Sequence, residues 1–199
     1  MSSYSDRRML SQHWKRSRWS GWNCRKNSKP WSNSMPRIDE LSHHDSRHEP
    51  LSHDVFWQFS YSHYFKADVE AACLALQTFH RGSVNLALLM IWLDTQAIDL
   101  TQQQRQQLEQ SLQPTEGLLE RYRHMRRSLK PQLDGNGYQQ LKDFELQMER
   151  QQQHDLIATL NQMPLSTVAQ QEAASHSANL ARYCHGLGAM ALVDKLLAK

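Results

Sequence analysis

Apolar side chains fall into two regimes along the chain. Through residue 50 the aliphatic positions are almost confined to Leu10, Ile38 and Leu41, whereas from Ser52 onward apolar residues recur at helical spacing. Phe56, Trp57, Phe59, Tyr61, Tyr64 and Phe65 predict an aromatic first helix. Val69, Ala72, Cys73, Leu76 and Phe79 define one face of a second, with Asp68 as its N-cap and His80-Arg81-Gly82 as its stop. Ser83 caps a third, Val84 to Leu93, which is apolar on every side and is therefore expected at the centre of the fold.

After a turn at Ile98-Asp99, Thr101 opens a Gln-rich helix whose burial rests on Leu108 and Leu112. Pro114 is expected to end it, because proline lacks the N–H and clashes with the preceding turn. Thr115-Glu116 then start a separate helix with a core-facing stripe of Leu118, Tyr122, Met125 and Leu129. Pro131 and Asp134-Gly135-Asn136-Gly137 predict a loop, followed by a long helix from about Tyr138 to about Asn161, buried through Leu141, Phe144 and Met148. Pro164 opens another, running to about His185 and stopped by Gly186 and Gly188, and a short closing helix carries Met190, Leu192, Val193, Leu196 and Leu197. With no alternating strand pattern and no internal repeat, the reading is all-α: an irregular helical bundle of about seven helices over residues 51–199.

Only 39% of the residues are hydrophobic, and the deficit is concentrated in residues 1–50, which cannot bury enough apolar surface to offset their ordering entropy. They read as a disordered tail. Arg7, Arg8, Lys15, Arg16, Arg18, Arg25, Lys26 and Lys29 face Asp6 alone in its first 34 residues, although the whole chain is only +3. Two readings stand for this basic arm. Trp14, Trp19 and Trp22, interleaved with Arg16 and Arg18, suit single-stranded nucleic acid, rings stacking on bases and guanidinium groups pairing with phosphates. Alternatively the true start is Met35 and the arm is not translated. Cys24, Cys73 and Cys184 are an odd, sparse set that fits a reducing compartment. No apolar run follows the basic N-terminus as a secretory signal requires, and the longest, Val84 to Leu93, is about half a membrane span. The expectation is a cytoplasmic protein with no membrane contact.

The segments Phe56-Trp57-Gln58-Phe59, Val69-Glu70-Ala71-Ala72-Cys73-Leu74-Ala75-Leu76-Gln77, Val84-Asn85-Leu86 and, later, Asn179-Leu180-Ala181-Arg182-Tyr183 resemble a family of short gammaproteobacterial proteins of unknown function. The likeness spans about residues 55–185. It implies a bacterial, all-α domain and brings no activity, cofactor or site residue with it. The basic tail departs from the family pattern.

Four polar or aromatic groupings carry candidate chemistry. His43, His44, His48 and His53, with Asp45, Glu49 and Asp54 among them, offer imidazole and carboxylate ligands for a transition metal, but in no closed-site spacing. Cys184-His185 lacks a second pair. Arg121, Arg123, Arg126, Arg127 and Lys130 form a basic cluster, of which Arg123, Arg127 and Lys130 are expected on a solvated face with Glu116 and Glu120. The first-helix aromatics and Trp92 read as core, with a ligand pocket as the alternative. Wound at about 100° per residue, Glu172 and His176 fall on the face shared by Val168, Ala169, Leu180, Tyr183 and Leu187, with Asn179 at its edge. A carboxylate and an imidazole there need partners, so they form a structural pair, an interface or an acid–base couple.

No nucleotide-loop, dinucleotide-glycine or nucleophile-elbow motif is present. The reading that follows is a non-catalytic helical protein that binds another protein, with no cofactor. Its competitors are a small-molecule site or enzyme around Glu172 and His176, and nucleic-acid binding through the tail. A chain beginning at Leu51 is expected to keep the full helical circular-dichroism signal and a cooperative melt; loss of either would show that the tail packs on the domain.

Overall fold

The computed structural model describes residues 50–167 and 178–198. Among these are seven α-helices: α1 (His53–Tyr64), α2 (Val69–His80), α3 (Val84–Thr95), α4 (Gln102–Leu129), α5 (Gly135–Leu160), α6 (Ala178–Gly186) and α7 (Val193–Leu196). The all-α irregular bundle read from the sequence is what the chain forms. One addition was not expected. Ile98–Asp99 and Ser166–Thr167 pair antiparallel, Ile98 opposite Thr167 and Asp99 opposite Ser166, where the sequence suggested a turn and the start of a helix at Pro164.

Every residue of α3 from Asn85 to Leu93 is buried, so this helix is the centre, with α1, α2, α5 and α6 packed around it. Such burial follows from an apolar surface all round, which leaves no face to turn to water. Ser83 caps it as expected, its hydroxyl accepting from the N–H of Leu86 at 3.4 Å. Phe56 of α1 stacks on Trp92 with centroids 5.2 Å apart, and Leu76, Leu89, Leu93, Leu156, Leu160 and Leu180 complete the core.

The boundaries of α2 form for other reasons than those expected. Asp68 holds the N-cap position, but with φ 64° it is left-handed and its side chain makes no capping bond. Aspartate tolerates that conformation better than most residues, which lets the chain reverse tightly after α1. At the other end Arg81, not Gly82, takes the left-handed position at φ 53°, and the N–H groups of both turn back to the carbonyl of Leu76. Gly82 is needed for space: a Cβ there would lie 2.8 Å from both Leu76 Cγ and Leu187 Cδ1.

Polar side chains lock the second half onto α3. Asp94 accepts from the N–H groups of Asn179 and Leu180 at 3.0 and 3.2 Å, anchoring the first turn of α6. Asn179, fully buried, accepts from Leu100 N–H at 3.0 Å and donates to the Ile98 carbonyl at 2.7 Å, which zips the short strand to α6. Gly188 at φ 64° turns the chain after α6, and the terminal turn is clamped to α1 where His63 Nε2 donates to the Leu196 carbonyl at 2.7 Å.

Pro114 does not end a helix. Helix α4 is continuous for 28 residues, opened by a reciprocal capping box between Thr101 and Gln104. The bond lost at Pro114 frees the Gln110 carbonyl, and both residues are exposed, so water replaces what proline removes.

Burial lowers the pKa of His63, with Lys66 adding to the effect and the bond to Leu196 opposing it. The unfolded chain therefore binds this proton more readily than the folded one. The neutral ring contributes stability above about pH 6.5 that is lost as pH falls through the folded value. The urea midpoint is expected to drop between about pH 7 and pH 5, and His63→Gln to flatten that slope. Part of the slope should persist, since burial lowers His53 as well.

Candidate functional site

Helices α4 and α5 form a long antiparallel hairpin, and its outer half is built with its polarity reversed. Leu108 and Leu112 of α4 and Leu156, Ile157 and Leu160 of α5 enter the core and set which face of each helix points inward. Carried along α4 at helical spacing, that face passes through Leu119, Arg123 and Arg126; carried back along α5 it passes through Glu149, Glu145, Lys142 and Tyr138. Charged residues thus meet where apolar ones were expected.

They meet as a connected network. Glu145 accepts from Arg123 Nε at 3.1 Å and from Arg126 Nε at 2.5 Å, and Glu149 accepts from a terminal nitrogen of Arg123 at 2.8 Å. Arg126 also donates to the Tyr138 hydroxyl, and Arg126, Lys130 and Lys142 each stand 5.5 Å from the centroid of the Tyr138 ring. Only 4% of Arg126 and of Glu145 is exposed. Burial raises the Glu149 carboxyl above its usual value while Arg123 pulls it down; in Arg123 the carboxylates outweigh burial and raise the guanidinium. Nearer the core a neutral network takes over. Asn85 of α3 donates to Gln152 and accepts from Gln153, both at 2.9 Å, and Gln152 reaches Thr115 at 3.1 Å and Glu116 at 3.3 Å.

The apolar stripes lie outside. Leu118 is 51%, Met125 44% and Phe144 51% exposed, and Tyr122, Leu129, Leu141 and Met148 are half-buried beside them. Tyr122 and Phe144 touch with centroids 5.3 Å apart, and the Tyr122 hydroxyl donates to the Leu141 carbonyl at 2.9 Å, so both stripes share one side of the hairpin. Two expectations are corrected. The stripes were placed in the core, and Arg123 on a solvated face; on α4 the error came from letting Pro114 restart the register. Arg127 is exposed as expected, paired with Glu120 at 3.4 Å. Glu145, Glu149, Gln152 and Gln153 were missed altogether. The signal that finds them is the spacing of three or four residues backward from Leu160 and Leu156.

The other candidates separate. Glu172 and His176 lie outside the described residues, as do His43, His44 and His48 and the tail positions Trp14, Arg16, Arg18, Trp19 and Trp22. His53 opens α1, 3.5 Å from Asp54 and edge-on to His154 at 5.4 Å. Among the described residues no three His, Cys, Asp or Glu side chains converge to hold a metal ion. Phe56 and Trp57 are core. Cys73 and Cys184 are buried free thiols, pushed by that burial up to about 12 and about 11. No helix of the described residues is long and apolar enough to cross a membrane.

The fold and the hairpin define an all-α protein with an apolar core around α3 and, in the outer half of the hairpin, a charged network inside and apolar residues outside. The chain belongs to the family of proteins of unknown function DUF2390, whose model matches residues 55–156, from α1 through the hairpin into the last turns of α5. No curated protein and no solved structure matches it.

Glu145→Ala leaves buried Arg126 without a carboxylate and removes one of the two that Arg123 binds, and is expected to destabilise the fold by about 3–5 kcal/mol. Phe144→Ser, on the outer face, should cost no more than about 1 kcal/mol. Urea unfolding measures both; equal effects would show that the charged network is not what closes the hairpin.

Proposed function

We propose that the protein is a non-catalytic interaction protein of the cytoplasm that grips an amphipathic helix of a partner protein on the apolar outer face of the α4–α5 hairpin. The observation that carries this reading is the reversed polarity. The hairpin is closed by Arg123, Arg126, Glu145 and Glu149, so Leu118, Met125 and Phe144 add little to its cohesion and are left at the surface. Exposed apolar positions grouped on one side, rather than scattered, mark a contact surface.

The shape favours a helix. Leu118, Tyr122, Met125 and Leu129 make one ridge, Leu141, Phe144 and Met148 a second, and a helix lies naturally along the groove between two such ridges. Exposed Gln140, Gln147 and Gln151 border the α5 ridge and Arg121 the α4 ridge, which suits a partner carrying amides and a carboxylate at its edge. Completing the burial of the three half-exposed side chains supplies roughly 2–4 kcal/mol. A micromolar complex needs about 8 kcal/mol, so the flanking half-buried residues must contribute and the contact is a reversible one. Two buried free thiols are consistent with a reducing cytoplasm.

The test compares the full chain with a Met125→Lys/Phe144→Lys variant. Both are expected to fold and melt alike. A partner isolated on the wild-type protein and then titrated in purified form should bind the variant at least tenfold more weakly, and a peptide of its contact helix should compete. Equal affinity for both would overturn the reading. So would light scattering that shows a wild-type dimer abolished in the variant, since the occupant would then be a second copy.

A further inference from the structure

The flank of α4 opposite the apolar ridge carries a second feature, independent of the hairpin reading. A cleft of about 410 Å³ opens there between α4, the start of α3 and α6, within the size range of small-molecule sites. Its apolar lining comes from Leu112, Leu187 and Tyr183, and three guanidinium groups, Arg81, Arg105 and Arg182, share it.

Two of these are held at one spot. Arg105 donates to the carbonyl of Leu100 at 3.1 Å, while Arg182 donates to the carboxylate of Asp99 and to Asn179 Oδ1 at 3.2 Å. Leu100 and Asp99 are successive residues, so the two cations are tied to adjacent points of the chain, and both line the cleft. Each uses part of its donor fork on the strand, and a guanidinium carries five N–H donors, so donors remain for an oxyanion. Arg105 feels the crowding: burial first and the neighbouring Arg182 next lower its pKa, against the opposing pull of Asp99 and Glu109. An anion between them would relieve that repulsion. Glu109 and Glu116 line the same cleft and exclude a second anionic group from its remainder.

We propose that this cleft binds a small molecule bearing a single oxyanion, a carboxylate or a monophosphate, clasped by Arg105 and Arg182, with its body on Tyr183, Leu112 and Leu187. The end facing Glu109 and Glu116 then carries a hydroxyl or ammonium group.

Titration of the full chain with inorganic phosphate, butyrate and 4-aminobutyrate, followed by amide and arginine side-chain NMR, tests this. Saturable shifts at Arg105, Arg182 and Tyr183 are expected, with dissociation constants on the order of millimolar. The two carboxylates differ only in the ammonium group, so tighter binding of 4-aminobutyrate reports Glu109 and Glu116, and the phosphate arm tells which oxyanion is preferred. Arg105→Gln should weaken binding about tenfold or more while Arg150→Gln, at an exposed arginine outside the cleft, leaves it unchanged. If Arg105→Gln fails to fold, Arg105→Lys, which keeps the charge and loses the planar fork, carries the same comparison. The absence of saturable shifts with all three probes, or unchanged affinity in the Arg105 variant, would overturn the proposal.

Discussion

The pairing of Arg123 and Arg126 with Glu145 and Glu149 is the constraint on which the outer half of the molecule depends. Removing charges from water costs several kcal/mol each, and only good geometry with further hydrogen bonds returns it. Here Glu145 accepts from both arginines, and the Tyr138 hydroxyl and ring take up remaining donor capacity of Arg126. An apolar seam of the same volume would hold the hairpin at least as well. What the charged seam adds is directionality: Glu145 bridges Arg123 and Arg126 while Glu149 takes a second nitrogen of Arg123, an arrangement met at one axial alignment of the two helices.

This seam is joined to the core by the one polar residue inside an otherwise apolar run. Asn85 occupies a buried position of α3 and exchanges hydrogen bonds with Gln152 and Gln153 of α5, and Gln152 passes the connection to Thr115 and Glu116 of α4. Three helices are thereby fixed in rotation as well as in position. The same device recurs at the other end of α3, where Asp94 and Asn179 hold α6 and the short strand. The helix that is apolar all round supplies the burial, and its few polar atoms set the alignment of its neighbours.

The first three helices were legible because their signals are local: an aromatic run, an apolar face of which Val69, Ala72, Cys73 and Leu76 are buried although Phe79 is 78% exposed, and Ser83 ahead of a hydrophobic segment broken only by Asn85. The capping box at Thr101 was half legible, its helix start being plain and the part of Gln104 not. The hairpin was not legible, because proline is a strong local breaker and the outcome was decided by solvent exposure at Gln110 and Pro114, which sequence does not show. Once the register was restarted at Thr115, Leu118 looked like core, and Phe144 did so on its apolar character, although the spacing back from Leu160 and Leu156 points to Glu149 and Glu145 instead. The strand pairing of Asp99 with Ser166 was hidden because two residues on each side carry no period. Arg105 and Arg182, separated by 77 positions, share a cleft because Asn179 and Asp94 dock α6 against Ile98 and Leu100.

The reversed polarity raises the question of why α4 does not turn to bury its apolar ridge. A rotation of about 100° toward α5 would bring Leu118 and Met125 inward and release the arginines to water at no desolvation cost. The helix is one rigid piece, however, so the same rotation withdraws Leu108, Leu112 and Leu119, which are 0%, 4% and 1% exposed. At about 1.5–3 kcal/mol for each buried leucine that loss is roughly 5–9 kcal/mol, against a gain of roughly 2–3 kcal/mol from two side chains already half covered. Partial unwinding at Pro114 would let the two halves turn separately, but it would break hydrogen bonds on both sides of the proline and the Gln152 contacts to Thr115 and Glu116. Continuity through Pro114 is therefore what holds the charges in and the ridge out, and the surface offered to a partner is determined by leucines that never touch it.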